Sequence, residues 1–226
     1  MTAAAIEIAG VWKYFGDYPA LRDIHLTIAP GVCLALIGRN GAGKTTLLRI
    51  LAGFSRPGKG AVSIAGRRQI GFLGHGISVY DELSALENLI LFGRLYELSN
   101  PAAAAHQWLE RVGLDRVKTG LVREFSRGMR QRLALARAFV HDPSVLLLDE
   151  PFTSLDDRAI AVLQDLVRGA REEGRTVVMS THQLREALDL ATDAALLQRG
   201  KLVWSGPRSE QMLADPGYLY AQYGEP

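Results

Sequence analysis

The sequence predicts an α/β fold into which a helical subdomain is inserted. Three observations support this prediction. First, the stretch GRNGAGKT at 38–45 lies between an apolar run at 32–37 and a helical pattern at 46–51. Second, the apolar runs at 145–149 and 176–180 have the continuous character of strands buried in a parallel sheet. Third, helical patterns follow one another through the middle third of the chain. A parallel sheet interrupted along the chain by a helical insertion explains all three observations.

The length of 226 residues suits one domain, and the hydrophobic fraction of 48% is enough for a substantial core. We assign 1–226 to a single domain, with 1–75 and 143–226 as the α/β core and 76–142 as the helical subdomain. Strands are predicted at 6–11, 21–28, 32–37, 61–64, 69–73, 145–149, 176–180, 194–197 and 201–205. The polar composition of 207–226 indicates a short tail.

Helix signals are clearest inside the insertion. Ser84 and Glu87 form a capping-box pattern at the start of a long helical segment. Asn100 and Pro101 start a second helix, which is predicted to end before Gly113. Further helices are predicted at 126–139, 158–173 and 183–191.

Charge and composition exclude several functional classes. The formal net charge of +2 gives no basis for a nucleic-acid-binding face. The single cysteine, Cys33, cannot form an internal disulfide and is expected in the core. The sequence has no run of 18 or more apolar residues and no signal-peptide pattern at its start. We therefore expect a cytosolic protein that acts at a membrane only through a partner.

The stretch 38–45 has the spacing G-x-x-x-x-G-K-T of a phosphate-binding loop, and its strand–loop–helix context supports that function. Glycines allow the backbone N–H groups to point at an anion, and the helix N-terminus adds its dipole. Lys44 can reach the β- and γ-phosphates, and the Thr45 hydroxyl can ligate Mg²⁺. The nucleotide-binding candidates here are Gly38, Asn40, Gly41, Gly43, Lys44, Thr45 and Thr46.

Five further residues, in three segments of the chain, complete a candidate site. Asp149 ends an apolar run and can hold the metal, while Glu150 can polarise an attacking water. Ser126 and Gly128 lie at the start of an arginine-rich helix, where a hydroxyl and free N–H groups can bind a second anion. His182 follows the strand at 176–180, at the sheet edge where ligands gather in open α/β folds.

On these motifs, the sequence resembles the ATP-binding subunits of ABC transporters along nearly its whole length. The resemblance implies a P-loop NTPase core of RecA-like fold, the inserted helical subdomain and a small antiparallel β-subdomain. It implies adenine stacking on Phe15, a Walker A loop at 38–45, Walker B at 145–149 and the catalytic glutamate at Glu150. It also implies the signature at 126–129, a D-loop at 153–156 with Asp156 at the nucleotide, and His182 as the switch histidine.

The sequence departs from the family pattern in two places. The signature Leu-Ser-Gly-Gly-Gln is replaced by Phe-Ser-Arg-Gly-Met at 125–129, which retains Ser126 and Gly128. His75 stands where the family has a glutamine that contacts Mg²⁺, and histidine titrates near neutral pH. The segments 73–75 and 82–89 resemble the haem-exporter ATPase of cytochrome c maturation.

The family resemblance also implies cofactors and partners. ATP and Mg²⁺ are expected, with ATP held between Lys44 of one copy and Ser126 of a second, head-to-tail copy. A separate membrane permease is expected to dock near 76–100, on an exposed apolar groove, and to hold the protein at the cytoplasmic face of the membrane. The haem-exporter resemblance and the lack of a regulatory C-terminal domain favour export over import as an expectation.

Two other classes remain as alternatives. A non-transport ABC protein that acts on nucleic acid or ribosomes usually carries two nucleotide sites or a long coiled-coil insertion. This sequence has one such site, about eighty residues separate Lys44 from Ser126, and no heptad run is present. A P-loop kinase or GTPase would need an acceptor site or a guanine-reading motif, and would leave the 125–129 stretch unexplained.

Overall fold

The computed structural model describes residues 3–65, 70–74, 76, 78–153, 155 and 157–224. The strands are β1 Ile6–Phe15, β2 Tyr18–Ile28, β3 Cys33–Ile37, β4 Lys59–Ile64, β5 Ile70–Leu73, β6 Val145–Asp149, β7 Thr176–Thr181, β8 Asp193–Gln198 and β9 Lys201–Pro207. The helices are α1 Lys44–Leu51, α2 Ala85–Leu95, α3 Pro101–Arg111, α4 Arg127–Phe139, α5 Asp157–Glu172, α6 Leu184–Leu190, α7 Glu210–Ala214 and α8 Tyr218–Tyr223.

The main sheet has six strands in the order β5-β6-β7-β3-β8-β9. The pairs from β5 to β8 are parallel, and β9 joins β8 in antiparallel orientation. Every residue of β3, β6 and β7 is buried, as their continuous apolar sequences predict. Alternate residues of β3 enter different cores: Cys33, Ala35 and Ile37 join one cluster, and Leu34 and Leu36 the other.

A second sheet, of order β2-β1-β4, is antiparallel throughout. Ile6, Ile8 and Val11 of β1 are buried against the same cluster as Leu34 and Leu36, so this sheet covers one face of the main sheet. The α/β fold with a small antiparallel sheet is therefore confirmed. Both β1 and β2 are longer than predicted and meet at a tight hairpin over 15–18.

In the described part of the segment between β5 and β6, the chain forms three α-helices, α2 to α4, and two short 3₁₀ helices at Asp115–Val117 and Val122–Glu124. The predicted capping box at the start of α2 is present: the Ser84 hydroxyl accepts a hydrogen bond from the Glu87 N–H (3.2 Å), and the Glu87 carboxylate accepts one from the Ser84 N–H (2.8 Å). Asn88, which is fully buried, donates to the carbonyls of Tyr80 and Ser84 and accepts from the Tyr80 N–H. The sequence pattern did not single out Asn88, because its partners lie in the preceding loop.

The segment after β9 differs from the predicted polar tail. It forms α7 and α8, because Met212 (3% exposed) and Leu219 (1% exposed) are buried in the cluster that contains Cys33 and Ile37 of β3. Trp204 of β9 stacks on Tyr223, with ring centroids 5.6 Å apart. Within the described ranges, no helix has the length and apolar character needed to cross a bilayer.

Candidate nucleotide-binding site

The carboxyl ends of three adjacent strands bring the predicted residues together. Because β6, β7 and β3 are neighbours and parallel, the segments that follow them emerge at one edge of the sheet. The loop at 38–43 follows β3, Glu150 follows β6 and His182 follows β7. The order of strands thus brings the loop together with Glu150 and His182, which lie more than one hundred residues further along the chain.

Two positions of the loop require glycine. Gly43 caps the N-terminus of α1 with φ of 107°, in the region that side chains disfavour, and a Cβ there would lie 2.8 Å from the Ala20 carbonyl oxygen. A Cβ on Gly38 would lie 2.5 Å from the carbonyl oxygen of Leu197. The tight packing holds the loop against β2 and β8, with the start of α1 directly behind it.

Lys44 is buried at the base of the loop, where it is 5% exposed. Its Nζ donates to the Gly38 carbonyl at 2.7 Å and lies 3.1 Å from Oε1 of Glu150. A buried ammonium must be paired, and both partners are supplied by the site itself. The same charge can therefore balance a phosphate oxygen that enters beside Glu150.

Glu150 joins three elements of the site. Its Oε2 lies 2.8 Å from Nδ1 of His182, whose side chain is 46% exposed, while the Glu150 side chain is only 11% exposed. Its N–H donates to the carbonyl of Ser180 at 3.0 Å. Its backbone is left-handed, with φ of 50°, a conformation that costs about 1 kcal/mol in a residue with a side chain. The pairing of β6 with β7 thus holds Glu150 in a strained backbone conformation. Its carboxylate lies between Lys44 and His182.

Asp149 accepts two hydroxyl hydrogen bonds on Oδ1. Thr45 donates at 3.0 Å and Ser180 at 2.6 Å, and Asp149 itself is 2% exposed. One carboxylate and one hydroxyl, with phosphate oxygens and waters to complete an octahedron, are the ligands that Mg²⁺ takes beside a nucleotide. In the described part of the chain, no group of three or more His, Cys, Asp or Glu residues could hold a metal. Thr45 and Asp149 fit Mg²⁺ that arrives with a nucleotide, because they supply a hydroxyl and a carboxylate side by side.

Ser180 was missed by the sequence analysis. It is fully buried in β7, donates to Asp149 and accepts from the Glu150 N–H at 3.1 Å. A serine in an apolar strand is the only sequence signal, and it does not reveal which neighbouring strand the hydroxyl faces.

A cleft of about 490 Å³ opens in front of these groups. This volume is in the range of small-molecule and cofactor sites. Its lining consists of loop residues, Glu150 and the end of the β1–β2 hairpin: Phe15, Tyr18, Ala20, Asn40, Gly41, Ala42, Gly43, Lys44, Thr45, Thr46 and Glu150. Phe15 and the phosphate-binding loop thus line the same cleft.

Other predicted residues lie elsewhere. Ser126 is the exposed N-cap of α4 and accepts from the Met129 N–H at 3.2 Å; neither it nor Gly128 is among the residues that line the cleft. His75 and Asp156 fall outside the described residues, so the predictions made for them stay predictions. In the described part of the chain, the cleft is therefore lined by the loop, Glu150 and the hairpin, without the start of α4.

Comparison with known proteins identifies the family. A family model described as ABC transporter matches residues 21–153, which is more than half of the chain. The chain belongs to the ABC transporter family. A second model, described as an AAA domain, putative AbiEii toxin of a type IV toxin–antitoxin system, matches residues 120–189 only.

The curated relatives of this ABC chain include export and resistance proteins. A daunorubicin resistance ATP-binding protein of Streptomyces coeruleorubidus is 38% identical over 222 residues, covering 93% of this chain and 70% of that protein. A Nod factor export ATP-binding protein of Rhizobium meliloti (strain 1021) is 34% identical over 214 residues, covering 89% of this chain and 64% of that protein. The chain therefore spans about two thirds of the length of these relatives.

Solved ABC structures share the fold. The ATP-binding subunit of an ABC transporter superimposes with a TM-score of 0.85 at 28% identity, covering 98% of this chain and 95% of that one. A dimeric ATP-binding cassette in a post-hydrolysis state, bound to ADP and Pi, superimposes with a TM-score of 0.79 at 26% identity. The match covers 90% of this chain and 99% of that one. With these relatives, the phosphate-binding loop and the acidic pair define an ABC ATPase, which binds and hydrolyses ATP.

Proposed function

We propose that this ATPase powers export through a separate membrane permease, as one of two ATP-binding subunits that close on ATP. The observation that carries the proposal is the connected group Lys44–Glu150–His182 beside Thr45 and Asp149, of which Lys44, Thr45 and Glu150 line the cleft. In the proposal, Lys44 is the phosphate-binding cation, Glu150 is the general base, and Thr45 and Asp149 are the metal ligands.

In the proposed mechanism, Lys44 and the loop N–H groups bind the β- and γ-phosphates of ATP. Glu150 accepts a proton from the attacking water, and His182 holds the Glu150 carboxylate through Nδ1 and orients its other nitrogen toward the γ-phosphate. Thr45 and Asp149 would hold Mg²⁺, which supplies positive charge against the phosphate oxygens. Asn40, Thr46 and Phe15 complete the contacts to the nucleotide.

Closure would require a second copy, because the start of α4 does not line the cleft of its own chain. The exposed start of α4, with the Ser126 hydroxyl and the Gly128 N–H, has the chemistry to bind the γ-phosphate of the partner's nucleotide. In this arrangement residues 76–142 act as a helical subdomain of a single 1–226 domain, and Asp156 and His75 are proposed to contact the nucleotide and the metal.

The permease is proposed to dock on the helical segment and to keep the protein at the cytoplasmic face of the membrane. Tyr80, Leu95 and Tyr96 are all at least 41% exposed there and support an apolar docking surface. The names of the two relatives favour export. Haem as cargo rests on the resemblance at 73–75 and 82–89, and the permease that co-purifies with this chain will test it.

The site assignment is tested by Lys44→Ala. Removal of a buried ammonium that pairs with phosphate should weaken binding of Mg-free ATP about ten- to a hundredfold, as measured by calorimetry. Lys59→Ala, at an exposed position on β4, is the control and should bind as the wild type does. Unchanged affinity in a folded Lys44→Ala protein would refute the phosphate site.

A further inference from the structure

The tip of the β1–β2 hairpin carries two aromatic side chains that face each other across the strands. Phe15 pairs with Tyr18 in the antiparallel register, and the two residues between them form the turn. Gly16 in that turn has φ of 58°, so the turn uses the conformation that glycine adopts without strain. Directly opposed residues of an antiparallel pair lie on the same face, with Cβ atoms about 5 Å apart. The two rings therefore belong to one surface.

Both rings are exposed, and both line the cleft. Each is 59% exposed, and of the large hydrophobic side chains that are exposed among the described residues, only Phe15 and Tyr18 are in the cleft lining. The neighbouring Tyr14 is also exposed, at 40%, but it stacks on Trp12 with centroids 6.0 Å apart and does not line the cleft. Exposed aromatic surface beside a ligand cavity is the usual mark of a stacking platform.

The chemistry of the lining divides the cleft into two ends. The loop and Glu150 supply the N–H groups, the ammonium, the hydroxyls and the carboxylate. The hairpin supplies Phe15, Tyr18 and Ala20, and the Tyr18 hydroxyl is the one polar side-chain atom among these three. None of these three side chains carries an amide or a carboxylate that could hydrogen-bond to the edge of a base. Side-chain recognition at the hairpin end therefore depends mainly on ring contact.

Phe15 is ordered by its own strand. The Lys13 ammonium lies 5.5 Å from the centroid of the Phe15 ring and donates to the Arg56 carbonyl at 2.8 Å. This cation–π contact fixes the ring beside the cleft without using any group of the phosphate-binding loop.

We infer that Tyr18 is a second base-stacking residue, which shares the base of the bound nucleotide with Phe15 and selects bases by ring area. Purines, which offer two fused rings, bind more tightly than pyrimidines, and adenine and guanine are hardly distinguished. This inference rests on the proposed nucleotide site and deepens it, since it names what reads the base.

Calorimetry in EDTA tests the inference with ATP, GTP, CTP, UTP and inorganic tripolyphosphate as probes. Tyr18→Ala should raise the Kd for ATP and GTP about tenfold, the size of a lost base–aromatic contact, and leave tripolyphosphate binding unchanged. Tyr18→Phe keeps the ring and should bind ATP as the wild type does. Tyr14→Ala removes an exposed ring from the same hairpin outside the cleft and is the matched control.

Three outcomes would overturn the inference. They are ATP affinity unchanged in Tyr18→Ala, tripolyphosphate weakened as much as ATP, and CTP bound as tightly as ATP by the wild type. Failure of the proposed site itself looks different, because Lys44→Ala would then leave both ATP and tripolyphosphate binding intact.

Discussion

Ser180 is a buried side chain that connects the two acidic residues at the end of β6. Its hydroxyl donates to Asp149 at 2.6 Å and lies 3.1 Å from the donating N–H of Glu150. Asp149 binds Thr45 through the same oxygen, so Ser180 sets where that oxygen points. A single hydroxyl in β7 thus positions the proposed metal ligand on β6 and helps to hold the left-handed backbone of Glu150.

We expect Ser180→Ala to lower both stability and turnover. The buried Asp149 oxygen loses a hydrogen bond, which should cost about 1–3 kcal/mol of unfolding free energy in urea titration. The ATPase kcat should fall about tenfold, because the metal ligand and the base lose their anchor. Ser205→Ala, at an exposed position of β9, controls for loss of a hydroxyl and should change neither. Normal turnover in Ser180→Ala would mean that β6 holds Asp149 and Glu150 without this contact.

The ends of α2 and α4 meet at His141. Its ring stacks on Tyr96, the C-cap of α2, with centroids 3.6 Å apart, and its Nε2 lies 3.2 Å from the Ile70 carbonyl oxygen in β5. Burial lowers the pKa of His141 from 6.5 to about 4; Arg137 also lowers it, while the Ile70 hydrogen bond and Asp142 raise it. The packing of two helices on the edge of the sheet therefore requires a neutral imidazole.

This contact predicts acid sensitivity of the fold. Between pH 6.5 and about 4 the unfolded chain binds a proton that the folded chain excludes, so the stability from His141 is complete above pH 6.5 and is lost as pH falls. Melting temperatures measured from pH 7.5 to 4.5 should fall less steeply for His141→Gln, which keeps a donor for Ile70 but does not titrate.

The control is His106→Gln, at an exposed position of α3, which should retain the wild-type slope. Identical slopes for all three proteins would show that His141 does not govern this pH dependence.

At the scale of the whole molecule, the α4 N-terminus and the cleft are separate surfaces of one chain. Ser126 is exposed, and the cleft is lined by the loop, Glu150 and the hairpin. A nucleotide in the cleft would present its outer face to solvent unless a second chain covers it. This geometry supports the proposed head-to-tail pair, in which each nucleotide bridges two chains.

Glu150→Gln should therefore trap the pair. The amide keeps the size of the carboxylate but removes the negative charge beside the γ-phosphate and cannot act as the base, so ATP stays bound and unhydrolysed. Light scattering should show a dimer with ATP and a monomer without it. Adding Lys44→Ala to the same protein should abolish the ATP-dependent dimer. A Glu150→Gln protein that stays monomeric at saturating ATP would contradict the two-chain site.

The sequence by itself determined the local parts of the protein. The spacing around Gly38, Gly43 and Lys44 specifies a loop that only glycines can form, and apolar runs specify buried strands. The capping box at Ser84 was predicted correctly, because its donors and acceptors are three residues apart. The family, too, followed from motifs whose chemistry is contained in short segments.

Only the tertiary structure decided which segments meet. The order β6-β7-β3 brings Glu150 to Lys44 and His182, and it makes Ser180 part of the site. The hairpin register puts Tyr18 beside Phe15, and long-range packing of Met212 and Leu219 turns an apparent polar tail into two helices. The local hydrophobic pattern of the sequence predicts which face of an element is apolar. Strand order and register, in contrast, depend on hydrogen bonds and packing between residues far apart in the chain.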